Sequence, residues 1–330
     1  MSNSSHIEQN FSMIFKFEPI YQKRVWGGQL LRTKLQRNIP RNVKIGESWD
    51  LVDRNDINSI LLHSLKKSKS LRSLIQENPR LMMGPNWLSD QKFPILVKWL
   101  DCTERLSLQV HPPKQIAQKL SGEPKTENWY IAHTTDKAGL FVGFKKGTTK
   151  DNFRKAIENG SAENCCHRIS SKEGESILIE SGRIHAIDSG NLILEIQQNS
   201  DTTYRVFDWD RNGLNGIPRE LHIDKSMQSI DFNDYEPSTL KTTTNLKSQV
   251  LADCNEFRIR KFNLVSGEKI QLKDKDSDCS IIHLISGRVN VGKEKIEVGE
   301  HGLSPFSAEC TIHATHNSTL LVTDRFNKPT

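Results

Sequence analysis

Short runs of alternating apolar and polar residues, separated by Gly, Asn and Ser, cover most of the chain. Residues 176–180 and 192–196 are two examples. Runs of this length bounded by turn residues are typical of β-strands. The pattern therefore predicts a mainly β protein in which helices are short insertions.

Three segments carry helical signals instead, at residues 70–83, 112–120 and 149–159. The second opens with prolines, which suit the first turn of a helix. Gly160 follows the third, where a helix C-cap is expected. We expect these three helices to decorate the sheets.

A change in composition predicts where the chain divides. The sequence becomes polar after Asp231, and strand patterns resume at Phe257, which places a boundary between 240 and 250. The expected division is an N-terminal extension at 1–17, a first domain at 18–245 and a second domain at 246–330.

The second domain has the strand and turn spacing of a small jelly roll. Its strand-like runs alternate with glycine turns, as at Ser286-Gly287 and Val298-Gly299. Residues 174–185 show a comparable rhythm in the first domain. We therefore expect two jelly-roll β-barrel modules of related design.

Composition and charge exclude several functional classes. The 330 residues carry 46 Lys and Arg against 40 Asp and Glu, and this +6 balance is spread without a basic patch of the kind that binds nucleic acid. No run approaches the ~20 apolar residues of a membrane span, and the N-terminus lacks a secretory signal. Six cysteines show no CxxC spacing. We expect a soluble, cytoplasmic protein with free thiols, without nucleic-acid or membrane partners.

Four side chains form a candidate metal set. Gln109 and His111 share one face of a predicted strand, Glu127 precedes another, and His185 lies in a third. Two imidazoles, a carboxylate and an amide suit zinc or another divalent ion with an open position. Because no short motif unites them, spacing alone leaves open that His111 and His185 are ordinary hydrogen-bonded residues.

The segment after His185 suggests further residues of the same cavity. If residues 188–190 form a three-residue hairpin loop, His185 faces Ile193, and Glu195 and Gln197 point to the same side as the imidazole. A carboxylate such as Glu195 is costly inside a barrel unless it is paired or functional.

Arg205 lies among strand-forming residues further along. Its guanidinium could bind an anion in the same cavity. The alternative is a surface ion pair with Asp201 or Asp208.

An ordered set of motifs resembles the type I mannose-6-phosphate isomerases in their short bacterial form. The motifs span residues 18 to 211, and the tail resembles the weaker second cupin of that family. They are Trp26-Gly-Gly28, Gly46-Glu-Ser-Trp49, Ser107-Leu-Gln-Val-His-Pro112, Lys125-Thr-Glu127, Ile184-His-Ala-Ile187 and Glu195-Ile-Gln-Gln-Asn-Ser-Asp-Thr-Thr-Tyr-Arg205.

This resemblance implies a two-cupin metalloenzyme that interconverts mannose 6-phosphate and fructose 6-phosphate, with its active site in the first domain. It implies one zinc ion per chain and a monomer or weak homo-oligomer. The metal ligands it implies are Gln109, His111, Glu127 and His185. The catalytic residues it implies are Arg205, Lys125 and Glu195, and the substrate-binding residues are Lys98, Ser107 and Arg205.

Several alternatives stay open at this point. Glu195, Lys125 and a metal-bound water are candidate general bases. Pro113, Lys114 and Asp188 depart from the family pattern. A catalytically silent sugar-binding cupin and an isomerase of another sugar are rival functions, because a fold does not fix a function.

Overall fold

The structure is a computed structural model that describes residues 14–62, 69–243, 245–272 and 279–326. Within these ranges, twenty strands form four sheets, so the predicted mainly β class is confirmed. None of the four described sheets closes on itself, and each predicted barrel module is a pair of open sheets. No helix in this part of the chain has the length and apolar character needed to cross a bilayer.

The first ten strands are β1 Ile20–Gln22, β2 Glu47–Leu51, β3 Ile95–Cys102, β4 Leu108–Val110, β5 Glu127–Thr134, β6 Gly139–Phe144, β7 Cys166–Ser170, β8 Ser176–Ile179, β9 His185–Ile187 and β10 Asn191–Gln198. The other ten are β11 Tyr204–Phe207, β12 Ser248–Asp253, β13 Arg258–Leu264, β14 Lys269–Gln271, β15 Ser280–Ser286, β16 Val289–Val291, β17 Glu294–Ile296, β18 His301–Ser304, β19 Thr311–Ala314 and β20 Ser318–Asp324. The α-helices are α1 Leu30–Thr33, α2 Leu71–Glu77, α3 Pro79–Met83, α4 Lys114–Ala117, α5 Lys150–Glu158 and α6 Ile223–Ser229.

The chain divides into two compact units. The larger unit comprises residues 20–49 and 95–242, and the smaller unit groups the described residues of 1–19, 50–94 and 243–330. The predicted domains are continuous in sequence, whereas the smaller unit also includes residues 50–94.

Two sheets build the larger unit. One has the strand order β1-β2-β3-β10-β5-β8, and the other has the order β11-β4-β9-β6-β7. Apolar side chains from both sheets form one core, in which Trp129 and Ile193 of the first sheet meet Val142 and Ile187 of the second. A second apolar cluster, which includes Phe153 of α5, lies between the five-stranded sheet and the helices that pack on it.

The predicted helices are present with one break. Thr149 caps α5 by accepting a hydrogen bond from the backbone N–H of Asn152 at 3.2 Å. Residues 112–120 contain α4 followed by a 3₁₀ turn. The segment 70–83 is not one helix, because Pro79 starts α3 and disfavours helical geometry at the residue before it.

The predicted hairpin around residues 188–190 is wrong. His185 in β9 pairs with Gln109 and with Val142, whereas β10 lies between β3 and β5 in the other sheet. Residues 188–190 therefore connect two sheets, and His185 is not paired with Ile193. The chemistry of these residues predicts a turn, but β9 and β10 on its two sides do not pair with each other.

The smaller unit packs a five-stranded sheet, β12-β13-β20-β15-β18, with a four-stranded sheet, β14-β19-β16-β17. Part of the predicted N-terminal extension belongs to it, because Phe15 and Leu303 exchange two backbone hydrogen bonds of 2.8 Å and Ile14 lies in its core. His283 and His301 are buried there, with their Nδ1 atoms 2.9 Å apart. None of the six cysteines, all of which lie in the described residues, is part of a disulfide.

We expect Phe153→Ala to cost about 3–5 kcal/mol of unfolding free energy, as large-to-small core substitutions do. Phe153 is fully buried and packs edge-on against Phe144, with ring centroids 4.9 Å apart. Arg154→Ala on the exposed face of the same helix is the control and should stay within about 0.5 kcal/mol. Urea unfolding of both variants is the measurement. If Phe153→Ala lowers the unfolding free energy no more than Arg154→Ala does, the packing of Phe153 does not stabilise the core.

Candidate functional site

Two buried imidazoles present the same nitrogen to one point. The Nδ1–H of His111 donates to the carbonyl of Thr202 at 2.8 Å, and the Nδ1–H of His185 donates to the carbonyl of Arg183 at 2.9 Å. Each bond fixes a tautomer in which Nε2 is unprotonated and carries a lone pair. The ring centroids are 4.7 Å apart. The pair can therefore offer two nitrogen ligands to one ion.

Glu127 places a carboxylate between these nitrogens. Its Oε2 lies 3.4 Å from Nε2 of His111, and its Oε1 lies 3.6 Å from Nε2 of His185. Lys125 Nζ is 2.6 Å from Oε2, yet within the described residues neither oxygen accepts a hydrogen bond of good geometry. Burial opposes ionisation, but Lys125, His111 and His185 together outweigh it and hold the pKa of Glu127 well below its usual value.

Burial also determines the state of the imidazoles. It is the main cause that lowers the pKa of His111 to about 3, and the nearby Lys125 ammonium lowers it further. The pKa of His185 is lowered mainly by burial as well. Burial would lower the pKa of Lys125, but the carboxylates of Glu127 and Glu195 raise it. The imidazoles are therefore neutral, the form in which histidine binds metals.

The donor set fits a small divalent cation. One ligand atom each from His111, Glu127 and His185 lies within 4.8 Å of the others. Ligand atoms about 2.1 Å from a tetrahedral zinc ion are roughly 3.4 Å apart, close to the two separations that involve Glu127. The side-chain nitrogen of Gln109 is 3.3 Å from Nε2 of His185, so a turn of that amide would bring its oxygen there. The buried carboxylate without a hydrogen bond is the feature that a cation would satisfy.

A cavity of about 540 Å³ lies beside this cluster in the larger unit. Gln109 and Lys125 line it, and both contact the cluster. The lining includes six cationic and three acidic side chains, so positive charge exceeds negative charge by three. The cations are Lys23, Arg24, Lys98, Lys125, Arg205 and Arg219, and the acids are Glu47, Glu195 and Asp201.

The sheet register explains how Glu195 reaches the cavity. In β10 it lies directly opposite Lys98 of β3 and Trp129 of β5, so the three side chains share one face. Lys98 Nζ is 3.7 Å and Lys125 Nζ is 3.8 Å from Glu195 Oε1, and the indole of Trp129 donates to Oε2 at 3.0 Å. Burial, together with Glu127, raises the pKa of this carboxyl.

Arg205 lies in β11 and lines the cavity. Its Nε donates to the hydroxyl of Ser107 at 3.3 Å, and its Nη1 donates to the backbone carbonyl of Glu220 at 2.8 Å. Among the described residues no carboxylate forms an ion pair with it, so the expected alternative of a surface pair with Asp201 or Asp208 is not what the structure contains. The positive charge remains available to a ligand.

The structure brings the residues singled out in the sequence to one place. Those that line the cavity are Lys98, Ser107, Gln109, Lys125, Glu195 and Arg205, and those of the cluster are His111, Glu127 and His185. Gln197 is buried, and its amide nitrogen donates to the carbonyls of Gln198 and Ser200 instead.

Sequence reasoning missed several residues of the cavity. Glu47 accepts two hydrogen bonds from Arg24, at 2.8 and 3.1 Å, and its pKa falls to about 2 because Lys98 and Arg24 outweigh the effect of burial. The Trp26-Gly-Gly28 and Gly46-Glu-Ser-Trp49 motifs were the available signal. A Cβ at Gly27 would lie 2.4 Å from the backbone nitrogen of Gly46, so this close approach requires glycine.

The unusual Asp188 has a structural role. It is buried and pairs with Arg105 at 3.0 Å and Arg168 at 2.8 Å. Removing it would leave two arginines without their partner. This departure from the family pattern does not touch the cluster.

Comparisons with known proteins agree on one family. A sequence model described as "Phosphomannose isomerase type I, catalytic domain" matches residues 14–156. The mannose-6-phosphate isomerase ManA of Bacillus subtilis is 33% identical over 314 residues, which cover 90% of this chain and 97% of ManA.

Solved structures share the fold. A crystal structure of the mannose 6-phosphate isomerase from Bacillus subtilis has a TM-score of 0.82 at 27% identity. The match covers 94% of this chain and 99% of that one. A mannose 6-phosphate isomerase crystallised with zinc and yttrium has a TM-score of 0.73 at 15% identity, and the match covers 96% of this chain and 100% of that one.

Proposed function

The chain belongs to the type I mannose-6-phosphate isomerase family, and from this membership we propose that it interconverts mannose 6-phosphate and fructose 6-phosphate with one zinc ion at the cluster. The observation that carries the proposal is the buried His111, Glu127 and His185 group beside a cavity with excess positive charge. A sugar phosphate brings hydroxyl oxygens for a metal and an anion for the cations.

The reaction requires an open sugar ring, a proton moved between C2 and C1, and a stabilised enediolate oxygen. Zinc held by Gln109, His111, Glu127 and His185 would act as a Lewis acid toward the sugar oxygens. With a single carboxylate among the four ligands, the site would keep a formal charge of +1. This positive charge favours an oxyanion.

Glu195 and Lys125 are the groups positioned to move the proton. Both line the cavity, and their charged atoms are 3.8 Å apart. Glu195 accepts the indole N–H of Trp129, which fixes its carboxylate while one oxygen faces the lysines. We assign proton transfer to Glu195 and electrostatic stabilisation of the enediolate to Lys125.

Arg205 is assigned to the phosphate. Its guanidinium offers a planar fork for two oxygens, and it forms no ion pair in the described residues. Lys98 lies on the same cavity and can add a point charge. Ser107 holds the guanidinium in place through its hydroxyl.

A coupled assay of mannose 6-phosphate conversion tests the proposal. Turnover should require metal, stop with chelator and return when zinc is added. Glucose 6-phosphate and free mannose are the comparison substrates. A silent sugar-binding cupin would bind sugar without turnover, and an isomerase of another sugar would prefer one of the comparison substrates.

We expect about one zinc ion per chain, and strongly reduced zinc in His111→Ala and His185→Ala, because each loses a nitrogen ligand. His133→Ala is the matched control, since His133 pairs with Glu173 at 2.5 Å outside the cluster. Metal analysis after dialysis is the measurement. Full zinc content in both cluster variants would show that the ion binds elsewhere.

We expect Glu195→Gln to lower kcat by at least about 100-fold with unchanged zinc content, because the amide keeps the shape of the side chain but accepts no proton. Asp201→Asn is the control, since Asp201 lines the same cavity but is half-exposed. Turnover and solvent-hydrogen exchange at C2 are the measurements. A kcat within a few-fold of wild type would contradict this assignment and favour Lys125 as the residue that transfers the proton.

We expect Arg205→Lys to lower kcat/KM by roughly ten- to a hundred-fold, the effect of losing a charge-assisted hydrogen bond of about 1.5–3 kcal/mol. Zinc content should not change. Arg183→Lys is the control, because Arg183 pairs with Asp234 through two hydrogen bonds of 2.8 and 2.9 Å. Wild-type kinetics for Arg205→Lys would place the phosphate elsewhere.

A further inference from the structure

At one end of the cavity, two arginines donate hydrogen bonds to one buried carboxylate. Asp208 accepts hydrogen bonds from Arg211 at 3.1 and 3.0 Å and from Arg219 at 2.7 and 2.5 Å. Arg205 is close enough for the charges of Arg211 and Arg219 to lower its pKa, after the larger effect of burial. Two guanidinium groups thus share this carboxylate, and Arg205 lies nearby without an ion pair, so positive charge exceeds negative charge here.

Only some of these arginines face the cavity. Arg205 and Arg219 line it, whereas Arg211 is not among the described residues of its lining. Two like charges on one cavity wall repel each other unless an anion lies between them. This end of the cavity therefore suits an anionic ligand.

The loop that carries Arg219 is held firmly at its base. The indole of Trp209 donates to the carbonyl of Leu106 at 2.6 Å, and Arg211 Nη1 donates to the carbonyl of Arg105 at 2.5 Å. Asp208 binds Nε and Nη2 of Arg219, and Nη1 has no protein partner among the described residues. The guanidinium is thus oriented in advance and keeps hydrogen-bond donors for a ligand.

We propose that Arg219, positioned by Asp208, is a second phosphate-binding residue that acts with Arg205 to select phosphorylated over free sugars. This inference rests on the proposed function. A phosphate ester carries about −1.5 to −2 charges near neutral pH, which complements the positive charge at this end of the cavity. A free sugar offers no negative charge to these two guanidinium groups, so the pair favours the phosphorylated sugar.

Two variants separate ligand binding from loop stability. Arg219→Gln and Arg211→Gln each remove one positive charge and one partner of Asp208, but Arg219 alone of the two lines the cavity. We expect Arg219→Gln to raise KM for mannose 6-phosphate at least tenfold with kcat within about threefold. Its dissociation constant for inorganic phosphate, measured by calorimetry on the zinc-loaded protein, should weaken about tenfold. Arg211→Gln should change both constants less than threefold.

Equal changes in the two variants, or wild-type constants in Arg219→Gln, would overturn the inference. If Arg219→Gln does not fold, Arg219→Lys replaces it. Because lysine keeps the charge without the fork, it should weaken phosphate binding three- to tenfold, and wild-type affinity would contradict the inference.

Failure of the proposed function gives a different result. In that case the wild-type protein would not convert mannose 6-phosphate, while phosphate binding would still depend on Arg219. If the wild-type protein converts mannose 6-phosphate and Arg219→Gln has the same KM, the proposed function stands and only this inference is contradicted.

Discussion

The carboxylate of Glu127 is the constraint on which the site depends. It is fully buried, and neither oxygen accepts a hydrogen bond of good geometry in the described residues. A carboxylate removed from water is costly unless positive charge lies beside it. Lys125 supplies part of that charge, and the neutral imidazoles of His111 and His185 each present an Nε2 lone pair that a cation could bind. A bound cation is the simplest way to satisfy all of these groups.

The two sheets of the larger unit make this arrangement possible. Glu127 begins β5 in one sheet, while His185 lies in β9 of the other and His111 follows β4. Gln109 of β4 pairs with His185 of β9, and this register places the two proposed ligands side by side. Positive charge on the cavity wall then favours anions, so the proposed cation and anion sites are adjacent.

The sequence predicted the class and the local elements better than their connections. Alternation predicted strands, and Thr149 and Gly160 marked the ends of α5, because these signals act within a few residues. The turn at 188–190 has the same chemistry whether its strands pair or enter different sheets, so the hairpin could not be distinguished. Motif order indicated the candidate ligands, but nothing near Arg219 in the sequence shows that it lies beside Arg205.

X-ray absorption at the zinc edge of the purified protein tests the central claim most directly. Ligation by imidazole, carboxylate and amide groups predicts a shell of nitrogen and oxygen atoms at about 2.0–2.2 Å, with the outer scattering typical of imidazole. We expect no sulfur ligand, because the proposed ligands include no cysteine. A zinc–sulfur distance of about 2.3 Å, or a spectrum without imidazole scattering, would contradict it.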